Sequence, residues 1–164
     1  MGPWRVMMRE GWERAALFTK FACFVNVFNS YVMEVTVCMG PSMMPTFNPS
    51  GDVVLLEHVS TKLNRLKAGD VVVAKSPTNP RLIVCKRIVG VSGDRVTIVP
   101  IKETEQLRHV VVPKGHVWLQ GDNIRNSTDS RHYGPVPSAM VKGKVFYKIW
   151  PPREWGPVGS RLSL

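Results

Sequence analysis

The hydrophobic positions of the chain follow one pattern before residue 39 and another after residue 50. Residues 15–33 are mostly apolar, and Lys20 is their only charge. This stretch is close to the length of about 20 residues that a helix needs to cross a bilayer. From Gly51 onward, short Val- and Ile-rich runs alternate with Gly, Pro, Asp and Asn. That alternation is typical of an all-β domain with short connections.

The short apolar runs predict the strands of a mainly β domain. They lie at 53–59, 71–74, 83–91, 96–99, 110–112, 117–119 and 145–149. Only residues 61–66 look briefly helical. The tail after residue 151 is rich in Gly, Pro and Ser, so residues 152–164 are expected to be disordered.

The N-terminal apolar stretch predicts a membrane-anchoring helix over residues 15–38, after a flank at 1–14. Arg5, Arg9 and Arg14 precede it and Lys20 lies near its start, whereas the next Lys or Arg along the chain is Lys62. By the positive-inside rule the N-terminus stays inside and the rest is translocated. Two alternatives stay open: an amphipathic helix lying in the interface, and a mitochondrial targeting sequence at residues 5–20.

A polar stripe on this helix predicts a protein partner. Asn26, Ser30 and Glu34 recur every four positions and therefore share one helix face. Polar residues at membrane depth are usually buried against protein.

Net charge and cysteine content add little to the prediction of function. The net charge of +10 favours an anionic partner, either a lipid surface or nucleic acid, but no run of five basic residues occurs. Cys23, Cys38 and Cys85 have no metal-ligand spacing and are expected to be small buried side chains. No metal or other cofactor is expected.

A serine between two prolines follows the apolar stretch. Pro41 and Pro45 fix their own backbone and keep Gly40 and Met44 out of helical conformation, so Ser42 lies in a stiff segment. This pattern suits a linker, and it also suits a nucleophile displayed on a rigid loop.

Lys86 lies in the predicted strand 83–91. Val84, Lys86 and Ile88 share one strand face, which is apolar apart from the lysine. Desolvation there favours neutral lysine, which can accept a proton. Arg87 points to the other face and is expected to be a solvated charge. Taken alone, such a lysine also suits a surface position.

The polar stretch 121–131 lies between a predicted strand and the turn at Gly134-Pro135. Its hydroxyl groups and the Asp129/Arg131 pair suit either a solvated loop or a network that supports a site.

With these pieces in order, the sequence resembles the type I signal peptidase family, and within it the mitochondrial inner membrane protease branch. The resemblance covers the membrane segment to about Trp150. The matching blocks are 42–46, 69–72, 86–90 with 93–94, and 121–136.

The resemblance implies a signal-peptidase-like coiled β-barrel or sheet over residues 39–151. It makes Ser42 the nucleophile and Lys86 the general base. Ser127 would orient the lysine, with Asp129 and Arg131 as a supporting ion pair. The backbone N–H of Ser42 would meet the oxyanion. Gly40 departs from bacterial members, which often carry a hydroxyl donor there.

Substrate peptides in this family add as an extended strand beside the nucleophile. The lining is expected to include Met43, Phe47, Val84 and Cys85. The expected partners are precursor proteins with signal or sorting peptides, the lipid bilayer and a second protease subunit. The implied location is the mitochondrial inner membrane, with the catalytic domain in the intermembrane space.

Three alternatives remain at this point. The first is a bacterial-type signal peptidase. The second is a non-catalytic β module that is tethered to the membrane in a protease complex, and the third is a basic β-barrel that binds nucleic acid. A Ser-His-Asp site is disfavoured because His58, His109, His116 and His132 lie in no catalytic context.

Overall fold

The computed structural model describes residues 3–98 and 107–159, with side chains from residue 8 onward. The first helix, α1, is Pro3–Tyr31. Along it Phe18, Phe21 and Phe24 are exposed. Across the described ranges, no helix combines the length and the apolar character that crossing a membrane requires.

The predicted helix over 15–38 ends too late. Helix α1 ends at Tyr31, and strand β1 follows at Met33–Cys38, beside strand β2 (Asp52–Glu57) in the sheet. The residues Val35, Thr36 and Val37 are β-branched, which favours a strand over a helix. Apolar residues continue across this boundary, so hydropathy alone does not show where the helix ends and the strand begins.

All of the predicted strands are present, and the mainly β prediction is confirmed. The further strands are β2 Asp52–Glu57, β3 Val71–Lys75, β4 Ile83–Val91, β5 Arg95–Ile98, β6 Arg108–Val111, β7 His116–Gln120, β8 Val136–Pro137, β9 Val141–Trp150 and β10 Gly156–Pro157. Residue 99, the predicted end of one strand, lies outside the described residues. The helical turn expected at 61–66 lies earlier, as α2 Val59–Lys62, and a third helix, α3, is Ser130–Tyr133.

The main sheet curls. Its strand order is β1-β2-β9-β3-β4-β7-β8, with β10 beside β9, while β5 and β6 form a separate pair. Strands β1 and β4 are far apart in this order, yet residues of both line one cavity. Register shifts along β9, where it pairs with β2 and β3, mark the irregularities that bend such a sheet.

Strand β3 separates two core clusters. Val71 and Val73 point to one cluster, and Val72 and Ala74 point to the other, as the strand period of two dictates. The first cluster also holds Cys38, Met43, Phe47, Val54, Leu56 and Val145. The second holds Ile88, Val117, Leu119, Val136 and Val141. Strand β4, beside β3, also contacts both clusters, through Cys85 at the first and Ile88 in the second.

The C-terminal tail is not disordered where it is described. A 3-10 turn at Pro152–Glu154 leads into β10, and the Val158 N–H donates to the Phe146 carbonyl at 2.9 Å. Backbone pairing with β9 therefore orders a segment whose composition suggested disorder. Residues 160–164 of the predicted tail and residues 1–2 of the predicted flank lie outside the described residues.

Candidate active site

The loop that carries Ser42 is anchored on both sides of the serine. Ser42 is half-buried in a 3-10 turn, Pro41–Met43, which follows Gly40 at a φ of 107°. The Gly40 N–H donates to the Pro49 carbonyl at 3.1 Å and closes the loop. Met43 and Phe47 are buried in the core below. These residues form a folded loop rather than a linker.

The turn packs against β4 and against the polar loop that follows β7. The Asn123 N–H donates to the Ser42 carbonyl at 3.0 Å, and the Asn123 side-chain amide donates to the Pro41 carbonyl at 3.1 Å. Asn123 therefore joins the segment 121–131 to the turn.

Lys86 is buried in β4, with 4% of its surface exposed. Its Nζ donates to the Ser127 Oγ at 2.9 Å. Its strand neighbours Val84 and Ile88 pack in the second core cluster, as the alternation predicts. The fold thus brings together a lysine and a hydroxyl that are far apart in sequence.

Asp129 is the centre of the network behind Ser127. The Ser127 hydroxyl donates to Asp129 Oδ2 at 2.7 Å, and the Gly121 N–H donates to the same oxygen at 3.1 Å. Arg131 Nε donates to Asp129 Oδ1 at 2.8 Å, and Arg131 Nη2 donates to the Ile124 carbonyl at 2.8 Å. The Asp129 side chain is fully buried with its arginine. Ser127, Asp129 and Arg131 are thus brought together with Lys86.

Burial shifts Lys86 towards its neutral form. Burial lowers the pKa of Lys86, and the attraction of Asp129 offsets this only in part. Burial acts to raise the pKa of Asp129, but hydrogen bonds from Arg131, Gly121 and Ser127 bring it below its usual value. Asp129 therefore stays ionised while Lys86 releases its proton more readily than an exposed lysine.

Gly121 is a site residue that the sequence analysis identified only as part of a matching motif. A Cβ built there would lie 2.5 Å from the Ser42 carbonyl oxygen and would collide with the Ser127 hydroxyl. Ser42 and Ser127 therefore approach each other across a position that has no room for a side chain. A Gly-Asp pair in the sequence indicates a turn, and it does not show that a side chain at residue 121 would collide with its neighbours.

Arg87 is not the solvated charge that strand alternation predicts. It is 5% exposed, and its Nε and Nη2 donate to Asp122 at 2.8 and 2.7 Å. Its Nη1 donates to the carbonyls of Gly69 and Gly159 at 2.7 and 3.0 Å. The prediction failed because the C-terminal segment and the loop after β7 cover this face of β4. Thr46 joins the network through its hydroxyl, which donates to Asp122.

The predicted substrate lining is only partly gathered at one surface. Cys85 lines a cavity of about 180 Å³ between β1 and β4. Met43 and Phe47 are each 2% exposed and lie in the core, and Val84 packs on the opposite core cluster. Alternation along β4 explains why Val84 and Cys85 point apart.

The histidines make structural contacts. Nδ1 atoms of His58 and His116 lie 2.9 and 3.0 Å from the carbonyls of Lys142 and Lys114. The His132 Nδ1 accepts from the backbone N–H of Asp129 at the start of α3. Cys23, unlike the prediction, is exposed, whereas Cys38 is buried as expected.

Comparison with known proteins finds one family. Residues 11–102 and 99–150 match the family described as "Signal peptidase, peptidase S26". The chain is 44% identical to mitochondrial ATP-independent inner membrane protease subunit 1a of Arabidopsis thaliana over 155 residues, covering 93% of this chain and 92% of that one. It is 39% identical to mitochondrial inner membrane protease subunit 1 of Mus musculus over 164 residues, covering 97% and 98%.

Two further matches are more distant. Mitochondrial inner membrane protease subunit 2 of Saccharomyces cerevisiae is 38% identical over 135 residues, covering 78% of this chain and 74% of that one. Among solved structures, a signal peptidase I from Enterococcus faecalis aligns with 48% of this chain and 95% of its own, at 24% identity and a TM-score of 0.41.

Proposed function

The chain belongs to the signal peptidase family, peptidase S26, and we propose how its residues act as a serine endopeptidase of the mitochondrial inner membrane. The resemblance to the mitochondrial branch of the family is confirmed by relatives named as subunit 1 of the inner membrane protease. The reaction is removal of signal or sorting peptides from precursor proteins. We propose roles for the catalytic residues, a substrate groove, a membrane contact of the N-terminal segment and a partner subunit.

One observation carries the catalytic assignment: a buried lysine, held by a hydroxyl, lies on the strand against which the Ser42 turn packs. Ser42 Oγ attacks the scissile carbonyl, and neutral Lys86 takes the hydroxyl proton. Lys86 then gives this proton to the leaving amine as the acyl-enzyme forms. Water releases the acyl group in a second step, with Lys86 again as the base.

The oxyanion that forms in each step needs hydrogen-bond donors. We assign one to the backbone N–H of Ser42. Gly40 offers no side-chain donor, and its φ of 107° is a conformation that favours glycine over other residues. The geometry of the loop therefore explains why a glycine suits this position.

Ser127, Asp129 and Arg131 act on the lysine rather than on the substrate. Ser127 accepts from Lys86 and fixes the direction of its Nζ, and Asp129 fixes Ser127. Arg131 compensates the buried carboxylate, so that Asp129 orients the network without a net charge beside the base.

The substrate groove runs between β1 and β4. The β4 residues before Arg87 pair with β3, and pairing with β7 begins at Arg87. An extended peptide can therefore add to the open edge of residues 83–86 and reach Lys86 and Ser42. The cavity lined by Cys85 is the part of this groove that accommodates side chains.

We place the N-terminal segment at the lipid bilayer. Within residues 15–31, exposed apolar side chains such as Leu17, Phe18, Phe21 and Phe24 are suited to lipid contact. The basic residues before Phe21 suit the matrix side, which puts the β domain in the intermembrane space. Precursors delivered to that space are the substrates.

A second protease subunit is the proposed partner. Relatives of this chain carry the names of both subunit 1 and subunit 2 of one protease. Asn26 and Ser30 lie four residues apart on α1 and form the surface that we assign to a partner helix. Glu34, the third residue of the predicted polar stripe, lies in strand β1 instead and is not part of this helix face.

The test is cleavage of a purified precursor by the full chain and by Ser42→Ala and Lys86→Met variants. Each variant should lose cleavage while its circular dichroism spectrum is unchanged. Ser138→Ala and Lys142→Met, which alter a hydroxyl and an amine elsewhere on the domain, serve as matched controls and should keep activity. Full activity of either site variant would overturn the assignment.

A further inference from the structure

Two cysteines line the groove between β1 and β4. Cys38 ends β1, and Cys85 lies in β4 directly before Lys86. Both line the cavity of about 180 Å³, together with Thr36, Val37, Met39, Val73 and Ile83. Neither thiol takes part in the peptide-bond chemistry proposed for Ser42 and Lys86.

The two strands meet here without backbone pairing to each other. Along the main sheet, β1 is adjacent to β2, and β4 lies between β3 and β7. The curl of the sheet, rather than a strand ladder, brings Cys38 near Cys85.

The thiols form a pair. Cys38 is 5% exposed and belongs to the first core cluster, against which Cys85 also packs. Hydrogen bonding with Cys85 lowers the pKa of Cys38, and the same contact together with burial raises the pKa of Cys85. Cys38 is thus the thiol that ionises first, with Cys85 beside it.

We propose that Cys38 and Cys85 form a reversible disulfide that closes the substrate groove and switches the peptidase off. This inference rests on the function proposed above, because it assigns a regulation to that same groove. Both cysteines are free thiols in this structure.

The bridge forms by exchange with a small-molecule disulfide of the glutathione class. The Cys38 thiolate attacks one sulfur of the oxidant and displaces a small thiolate. The Cys85 thiolate then attacks the Cys38 sulfur of this mixed disulfide and displaces the second. The protein loses two electrons and two protons, which leave as two molecules of the small thiol.

Strand geometry explains why a bridge would exclude substrate. A peptide strand between two others lies about 4.8 Å from each, so its neighbours stand almost 10 Å apart. A disulfide holds the two Cα atoms at about 4.4–6.8 Å. A disulfide between Cys38 and Cys85 would therefore leave no room for an extended peptide at Cys85, which lies one residue before the proposed base.

The experiment uses the full chain with Cys23→Ser, which removes the exposed thiol on α1 and prevents bridges between molecules. The protein is equilibrated in detergent with buffers of increasing ratio of oxidised to reduced glutathione. After alkylation of free thiols, mass spectrometry measures the fraction of Cys38–Cys85 disulfide. In parallel, kcat/KM is measured on a fluorogenic peptide spanning a mitochondrial sorting-signal cleavage site.

We expect kcat/KM to fall in proportion to the bridged fraction and to recover with dithiothreitol. In Cys38→Ser and Cys85→Ser variants, the ratio of oxidised to reduced activity should stay close to one, whatever their reduced activity is. Full activity of the bridged enzyme would overturn the switch. So would thiols that stay reduced across the series, or glutathione adducts without a bridge.

Failure of the proposed function would look different. A fully reduced enzyme that cleaves no precursor would contradict the peptidase assignment. The mass-spectrometric measurement of the Cys38–Cys85 bridge does not depend on cleavage and would still decide whether the bridge forms.

Discussion

Lys86 touches its orienting carboxylate only through a hydroxyl. Its Nζ donates to Ser127 Oγ at 2.9 Å, and Ser127 donates to Asp129 at 2.7 Å. A carboxylate in direct contact would hold the lysine protonated, because an opposite charge stabilises the charged form. With Ser127 between them, and Arg131 beside the carboxylate, the network gives the lysine a direction without fixing its proton.

Ser127→Ala should therefore lower kcat by about 10²-fold with little change in KM, because a misplaced base costs rate rather than binding. Steady-state kinetics on a precursor peptide would measure this. The neighbouring hydroxyl of Thr128 is exposed, and Thr128→Ala is the matched control. Ser127→Thr keeps a hydroxyl and should restore part of the lost rate; an unaltered kcat in Ser127→Ala would contradict the orienting role.

The pH dependence of kcat/KM should show an ascending limb that belongs to Lys86. The base acts when neutral, so activity rises as the pH passes through the lysine pKa, and burial places this limb below the ordinary lysine value of about 10.4. Asp129 raises the pKa of Lys86, so Asp129→Asn should move the limb to lower pH while the maximal rate falls. A pH–rate profile of both proteins tests this, and a limb that stays in place would count against the coupling.

Gly121→Ala should lower kcat/KM by about 10²-fold or more, because the new Cβ displaces Ser42 and Ser127 relative to each other. Gly156→Ala is the matched control, since nothing lies within 4 Å of a Cβ there. Activity and thermal unfolding should be measured on both variants. Normal activity of Gly121→Ala would mean that the two serines need not be held at their present separation.

Asp122→Asn should destabilise the domain by about 3–5 kcal/mol, because it leaves the buried charge of Arg87 without its partner. The two side chains are only 6% and 8% exposed. In contrast, Glu13→Gln breaks the exposed pair with Arg9 and should change the free energy of unfolding by about 0.5 kcal/mol or less. Denaturant unfolding of the full chain in detergent compares the two, and equal effects would argue against a buried ion pair.

Acid should remove the stabilising contribution of Asp129. The pKa of Asp129 is lowered in the folded chain, so its contribution to stability is present above the unfolded value of about 3.9 and is lost as the pH falls through the folded value. Asp129→Asn should therefore flatten the dependence of stability on pH in this acidic range. Thermal unfolding at several acidic pH values would show whether the slope changes.

Local patterns in the sequence predicted the strands and the direction of Lys86 well. The alternation of side chains between the two faces of β4 depends only on neighbouring residues, so it can be predicted from the sequence. The burial of Arg87 could not be predicted in this way, because its partners come from the loop after β7 and from the C-terminal segment. Only the folded chain brings these distant pieces over the same face.

The two wrong boundaries have a common physical origin. The helix prediction continued through β1 because hydropathy does not distinguish apolar helix from apolar strand at residues 33–38. The tail was expected to be disordered because composition reports local preference, whereas β10 is ordered by pairing with β9. In both segments the contacts that decide the structure are made with strands far away in sequence.

The C-terminal segment also supports two parts of the site that are far apart in sequence. Lys148 Nζ donates to the Thr46 carbonyl at 3.0 Å and to Glu154 at 2.8 Å, and Arg87 reaches the Gly159 carbonyl. A chain that ended before residue 154 would lack both the Glu154 carboxylate beside Lys148 and the Gly159 carbonyl beside Arg87. Such a truncation would leave every proposed catalytic residue in place and still remove support from the Ser42 loop and from strand β4.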